Sequence, residues 1–458
     1  MDASTPGDGT ALTAALGAFV SALALESVPP EVQAIAKTGF TDCFGVMVAG
    51  AREPVVALID RELSGAGGTE LASLVPSGAR RGTADAALVN GIAAHVLDYD
   101  DVTLDGHPSA VLVPAILAQA EASGANGAEM LAAYVAGYEV WVELLIREPV
   151  PLYQKGWHPT AVRGTVAAAA ACARLRHLDG AATATALAVA ASMASGVVAN
   201  FGTLTKSFQV GRAAQSGVLA ARLAAAGLTA APDALEHRSG LLMALSPGTP
   251  DLGRPFDPAA RPWHLARQGL NVKRYPVCYG AHRAIDAAID LAQRHDLRPG
   301  DIDRIDVAIG AMQMLMMRND RPQTGFEAKF SLPFAMAAAI VARNVGLAQL
   351  TDAFVQVPQV QALFPRVAAT TTTEQMQASA FSPSETVAIR TLRGDVFTSD
   401  PVVHARGSHE RPLSREELWV KFSDCLGEGV PRGSAERAFE RLQTLERLND
   451  AGTLLQLQ

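Results

Sequence analysis

Ala84-Asp85-Ala86-Ala87-Leu88-Val89-Asn90-Gly91-Ile92-Ala93-Ala94-His95-Val96-Leu97 spaces its apolar side chains three and four apart, without a run of β-branched residues. That period belongs to a helix. The same grain extends outward to 31–49, 109–122, 128–147, 162–175 and 209–225, with Gly and Pro between the segments. Residues 10–245 are therefore expected to fold as helix after helix. A Pro-rich stretch, 247–262, breaks the pattern and is read as a connector. Beyond residue 269 the grain changes. Arg304-Ile305-Asp306-Val307-Ala308-Ile309 and Glu385-Thr386-Val387-Ala388-Ile389-Arg390-Thr391 alternate apolar and polar, as half-buried strands do. Helical candidates accompany them at 281–295, 328–343 and 349–363. The tail, 414–457, is again helical and is expected to pack on the first domain. The fold class predicted is mainly α: a large all-helical domain, 1–268 with 406–458 returning to it, plus a smaller α+β lid domain, 269–405.

Composition narrows the function. The 458 residues are 49% hydrophobic and 18% charged, and 38 basic against 46 acidic side chains leave a net charge of −8. No overall positive field exists to hold a polyanion, so nucleic acid is not an expected partner. The four cysteines, at 43, 172, 278 and 425, form no C-x-x-C pair. That argues against a zinc ribbon, an iron–sulfur site and a disulfide scaffold, and a reducing cytoplasm is the expected location. Residues 12–25 imitate an export signal, but Asp2 and Asp8 precede them with no Lys or Arg. Residues 181–205 are uncharged over a bilayer's thickness, yet consist mostly of Ala, Ser, Thr and Gly. They are read as a buried core helix, with no membrane association.

The densest polar cluster spans 95–109. On a continuing helix His95, Asp98 and Asp101 would share one face, and any carboxylate drawn into a cleft there would need a partner. His107-Pro108-Ser109 has a counterpart in His158-Pro159-Thr160, each before an Ala-rich helix. Proline at a first helical position sets the imidazole beside the positive end of the helix dipole, which disfavours imidazolium and leaves a neutral base. The chain uses only six lysines, two of which stand in polar surroundings: Lys206, in a loop between apolar helices, and Lys273, just inside the second domain. An aspartate, two histidines and two lysines, if they converge in the cleft between domains, would make a pocket for a small polycarboxylate with an internal base. The lysines would stabilise the developing enediolate. Phosphate-loop, dinucleotide, G-x-S-x-G and H-E-x-x-H signatures are absent. Asp100-Asp101-x-x-x-Asp105 invites comparison with the Mg²⁺-binding runs of helical diphosphate enzymes, but a second acidic run is missing.

Asn90-Gly91-Ile92-Ala93-Ala94-His95, Asp98-Tyr99-Asp100-Asp101 and Gly106-His107-Pro108-Ser109 together resemble the MmgE/PrpD family. Gly156-Trp157-His158-Pro159-Thr160, the stretch from Thr205 through Gln215, Lys273-Arg274-Tyr275-Pro276 with His282, and the stretch from Thr324 through Ser331 extend the likeness over nearly the whole chain. The resemblance implies a homodimer with metal-independent, cofactor-free chemistry. It places Asp98, His107, His158, Lys206 and Lys273 at the active site; Arg212, Tyr279 and His282 rank below them as substrate-binding candidates from the residues alone. The activity it implies is a lyase that abstracts an α-proton from a di- or tricarboxylate and expels water or CO₂. An epimerase, or a carboxylate-binding protein without catalysis, is the alternative. Three departures keep the substrate open. Val102 stands where many relatives have Thr, Met317-Arg318-Asn319-Asp320 stands where many have a Tyr, and Lys206-Ser207-Phe208-Gln209 replaces a Lys-Pro-Leu-His pattern. Tyr279 and Arg283 are candidates to replace the missing tyrosine.

Overall fold

The structure, a computed structural model, describes residues 11–64, 71–103, 105–376 and 381–455. They divide into two compact units: one runs to Leu270 and resumes at Trp419, and the other is Asn271–Leu418. Among the described residues, the first unit up to Leu270 is built mainly from the helices α1 (Leu12–Ala22), α2 (Pro30–Gly50), α3 (Pro54–Leu63), α4 (Thr83–His95), α5 (Pro108–Ser123), α6 (Gly127–Leu145), α7 (Pro159–Leu175), α8 (Gly180–Met193) and α9 (Thr205–Ala225). Their ends follow local chemistry. Proline opens α2, α3, α5 and α7, where its missing N–H costs nothing. Asn126 and Glu129 form a reciprocal cap on α6. Gly124, at φ 67°, ends α5 in the left-handed conformation that glycine adopts without strain.

The Ala-rich α7 is buried along almost its full length and packs against α5, α6, α8 and α9. Small residues set how closely these helices approach. A Cβ on Gly211 of α9 would stand 2.3 Å from the Leu88 carbonyl oxygen of α4, and one on Gly91 would stand 2.7 Å from Gly211 Cα. The two backbones are thus in contact, with the end of α4 about one turn and the start of α9 under about two turns from the crossing. The chain from Trp419 completes the unit. Phe422 stacks near Phe44 of α2, ring centroids 6.5 Å apart. From the helix Arg432–Gln443, Gln443 Nε2 donates to Thr41 Oγ1 at 2.8 Å.

The second unit holds a four-stranded sheet in the order β4 (Val367–Thr372), β3 (Ile302–Gly310), β5 (Thr386–Thr391), β6 (Val396–Thr398); a two-stranded ribbon of β1 (Ala72–Ser73) and β2 (Arg80–Arg81) belongs to the first unit. β3 runs parallel to β4 and antiparallel to β5. Ile305, Val307 and Ile309 of β3 and Val387 and Ile389 of β5 face a core shared with the helices His282–Arg294 and Leu332–Val341, the half-buried alternation that their sequence predicts.

Several expectations are corrected. The return to the helical unit begins at Trp419, not 406. Residues 406–418 stay with the second unit, where Val272 N–H donates to Gly407 O and Arg406 Nη2 donates to Asp290 Oδ1. The connector 247–262 is tied to α6 and to the turn after it: Arg261 Nη1 donates to Glu139 Oε2 of α6 at 2.7 Å, and Arg147 Nη1, from the turn, donates to Arg254 O at 2.7 Å. Residues 181–205 are no single buried helix, since α8 ends at Met193 and Val197 and Leu204 beyond it are exposed. The 349–363 candidate splits into Asp352–Val355 and Pro358–Leu363, because Pro358 cannot continue the first of these. All four cysteines are free and buried. Among the described residues no helix is long and apolar enough to cross a membrane.

The α4–α9 crossing gives a direct test. Gly211→Ala must displace backbone and should cost about 1–3 kcal/mol in urea denaturation. Gly433→Ala, whose Cβ would meet nothing closer than the flexible Arg437 side chain at 3.5 Å, should be neutral or stabilising.

Candidate active site

Three acidic side chains of the loop after α4 are taken out of water: Asp98 is 8% exposed, and Asp100 and Asp101 are 0% exposed. The helix does not continue through them as expected. It ends at His95, and Asp98 takes φ 52°, a left-handed conformation that aspartate tolerates at a cost of about 1 kcal/mol. Asp98, Asp100 and Asp101 are therefore not on one helical face, and each finds different surroundings.

Asp98 Oδ1 accepts from Lys206 Nζ at 2.9 Å. Lys206 lies not in a loop but in the first turn of α9, its ammonium 5.6 Å from the centre of the Phe201 ring. Asp100 faces two imidazoles: Nδ1 of His95 and Nδ1 of His107 each stand 3.0 Å from its Oδ2. Burial alone would raise the Asp100 pKa, but the charge and hydrogen bonds of His95 and His107 outweigh it and hold the carboxyl well below the usual range. Asp101 is the opposite case. Burial, with Asp42 and Asp100 adding repulsion, pushes its carboxyl well up and favours the protonated form, although the neighbouring Ser109 opposes the shift. Asp42 pairs with Lys421 Nζ at 2.5 Å, and Lys421 also donates to Tyr99 O at 2.8 Å, pinning the loop from behind.

The two His-Pro motifs form as predicted. His107 is the N-cap of α5 and His158 the N-cap of α7, each followed by proline. His158 Nδ1 lies 2.7 Å from Gln209 Oε1, while Gln209 Nε2 donates to Val197 O, so Nδ1 of His158 is the donor. Phe201 meets the His158 ring edge-on at 4.8 Å. Burial lowers the His158 pKa to about 2, with His95 and Lys206 adding repulsion. Burial likewise lowers His95 to about 4 against the pull of Asp100. The His95 ring centre lies 4.5 Å from that of His107 and 6.5 Å from that of His158. The N-termini of α5, α7 and α9 and the C-terminus of α4 thus bring three imidazoles and an ammonium together. Helix N-termini with a lysine favour an anion.

Asp98, His107, His158 and Lys206 converge within the first unit. Arg212 does not join them: it is exposed on α9, and its Nη1 donates to Gln215 Oε1. Lys273, Tyr279 and His282 belong to the second unit. There Lys273 is buried, and the His282 ring sits between those of Tyr275 and Tyr279, at 5.1 and 4.9 Å. Arg283 is committed inside that unit to Glu385, Ser382, Pro383 and Val403, which removes it as a stand-in for the missing tyrosine. Two participants carry no role in the sequence reading, Asp100 and Gln209, and His95 is noted there without one. Gln209 stands three residues after Lys206, the spacing of a shared helix face, which is the signal that could have found it.

His95, Asp98 and His107 bring one possible donor atom each within 4.8 Å of one another. The Lys206 ammonium on Asp98 sets a positive charge against that spot, so the set matches a proton and an anion better than a cation. Asp105 is bound by Arg163 of α7 at 2.6 Å, which takes the third member of the acidic run away from any metal shared with Asp100.

The depressed histidines make stability fall with acid. Between the unfolded value near 6.5 and the folded one, the unfolded chain binds more protons, so stability rises with pH by at most about 1.4 kcal/mol per unit for each such group. Urea midpoints measured from pH 7 to 4.5 should therefore show a shallower slope for His158→Asn than for the unsubstituted chain. Equal slopes would contradict the assignment.

The chain matches the MmgE/PrpD N-terminal domain model over residues 14–252 and the C-terminal domain model over 275–447. It is similar to cis-aconitate decarboxylase of Homo sapiens, 29% identical over 383 residues that cover 81% of this chain and 78% of the relative. It is also similar to cis-aconitate decarboxylase of Aspergillus terreus, 24% identical over 483 residues that cover 97% and 95%. With both domain models matched in order along a predominantly helical unit and a sheet-containing one, the chain belongs to the MmgE/PrpD family.

Proposed function

We propose that this protein is a cofactor-free lyase acting on a small di- or tricarboxylate, and that decarboxylation of an unsaturated tricarboxylate such as cis-aconitate is the first reaction to test. The observation that carries the reading is the Lys206–Asp98 pair set beside three imidazoles at converging helix ends. The similarity to cis-aconitate decarboxylases supports it.

In this reading a substrate carboxylate takes the Lys206 ammonium, displacing or sharing Asp98. His107 is the acid/base. Its Nδ1 faces two acceptors, the Asp100 carboxylate and the Asp101 carbonyl oxygen, so Nδ1 keeps its proton and Nε2 exchanges one with substrate carbon. The paired carboxylate stabilises the imidazolium whenever Nε2 is loaded. His158, held neutral, orients the substrate through its own Nε2. In decarboxylation the C–C bond to the departing carboxylate breaks and its electron pair moves into the carbon skeleton. The far carbon takes the proton from His107, and no oxidant is needed. Lys273 is proposed, from the family resemblance, to hold a further carboxylate.

Epimerisation is the second reading, favoured by the presence of a second and third imidazole that could return a proton to the opposite face. Incubation in D₂O with cis-aconitate and a panel of hydroxy- and amino-dicarboxylates separates the two. CO₂ release with deuterium in the unsaturated product, or water release to an unsaturated product, supports the lyase, and exchange with inversion alone supports the epimerase. Lys206→Ala should lower kcat/KM at least about 100-fold, and chelators should leave turnover unchanged. A panel that yields neither product nor exchange, while the acids still bind, would leave a carboxylate-binding protein.

A further inference from the structure

Asp100 is fully buried, and its partners among the described residues are two imidazoles, one from the end of α4 and one from the start of α5. Both approach it with the same atom. His95 Nδ1 lies 3.1 Å from Oδ1 and 3.0 Å from Oδ2, and His107 Nδ1 lies 3.0 Å from Oδ2 and 3.0 Å from the Asp101 carbonyl oxygen. A carboxylate and a carbonyl can only accept, so each Nδ1 must carry the proton and each Nε2 must carry the lone pair. His95 Nε2 is buried and has no hydrogen-bond partner among the described residues. A buried acceptor left open in this way is costly in a purely structural histidine.

We infer that Asp100 is the positioning residue of the site: one carboxylate fixes the tautomer and the ring orientation of two histidines, His95 and His107, and makes them a single proton-holding unit with two outward Nε2 atoms. The kinetic consequence rests on the proposed lyase reading, whereas the tautomers do not. Because both rings share one anion, a proton taken up at one Nε2 draws on the charge that would stabilise the other. The unit therefore takes up one additional proton at a time. Asp98, the nearest carboxylate by sequence, is not the orienting group, since it holds Lys206. The charged and titratable groups around the unit are Lys206 on α9, His158 on α7, Asp98 and Asp101 on the same loop, and Cys43 on α2.

The test is Asp100→Asn, read first by nitrogen-15 NMR of histidine-labelled full-length protein. His95→Gln and His107→Gln identify the two rings. In the unsubstituted chain both should be protonated at Nδ1. With His107 Nδ1–H donating to Asp101 O and to an amide oxygen in the Oδ2 place, the amide N–H₂ takes the Oδ1 place, 3.1 Å from His95 Nδ1, so the His95 ring should change to the Nε2–H form. With a carboxylate substrate, kcat should fall roughly 100- to 10,000-fold, the range expected when the carboxylate behind a catalytic imidazole is replaced by an amide, with KM moving less than about threefold. Either ring found protonated at Nε2 in the unsubstituted chain overturns the inference, and this measurement decides alone if Asp100→Asn does not fold. Unchanged tautomers in Asp100→Asn, or changed tautomers with kcat within about threefold, also overturn it. Absence of turnover on every acid would count against the lyase reading and leave the tautomer result standing.

Discussion

Three carboxylates within four residues are withdrawn from water in the loop after α4, and the surrounding helices are arranged to answer them. An ionised carboxylate cannot stay buried without a partner, and two unpaired ones side by side would be worse. The chain resolves this in three ways. Asp98 takes an ammonium, Asp100 takes two imidazole N–H groups, and Asp101 is pushed toward its protonated form. The left-handed residue at Asp98 makes the separation possible, because a continued helix would have aimed Asp98 and Asp101 the same way.

Close helix packing then supplies the partners. Gly91 and Gly211 let α4 and α9 touch backbone to backbone, which brings the Lys206 ammonium within reach of Asp98. Proline at the first positions of α5 and α7 sets His107 and His158 at helix starts, and burial keeps the His158 imidazole neutral. Lys421, from the returning tail, holds the loop through the Tyr99 carbonyl and neutralises Asp42 behind Asp101. Its burial is tied to a chain segment more than 300 residues from the loop it supports.

Much of the helical unit was legible in the letters. The segments read at 31–49, 109–122, 128–147, 162–175 and 209–225 correspond to α2, α5, α6, α7 and α9, displaced by a few residues at the ends. The strands read around 304–309 and 385–391 are β3 and β5. What was misread had no periodic signal. The course of 181–205 depends on where α8 finds solvent, and the uncharged stretch carries no cap to announce its end at Met193. The return point of the tail depends on Arg406 and Gly407 finding partners in the second unit, which spacing cannot foresee.

The sequence by itself determined which elements form and which chemical groups are on hand: helical periodicity, Pro at helix starts, two His-Pro motifs, an acidic run and few lysines are all local properties of the chain. Pairing belonged to the tertiary structure alone. That Asp98 takes Lys206 while Asp100 takes both His95 and His107 follows from the backbone turn at 98 and the crossing of α4 with α9. The physical reason is range. Propensity and capping act over one helical turn, whereas the partner of a buried charge is chosen by desolvation and distance between residues as far apart as 98 and 206.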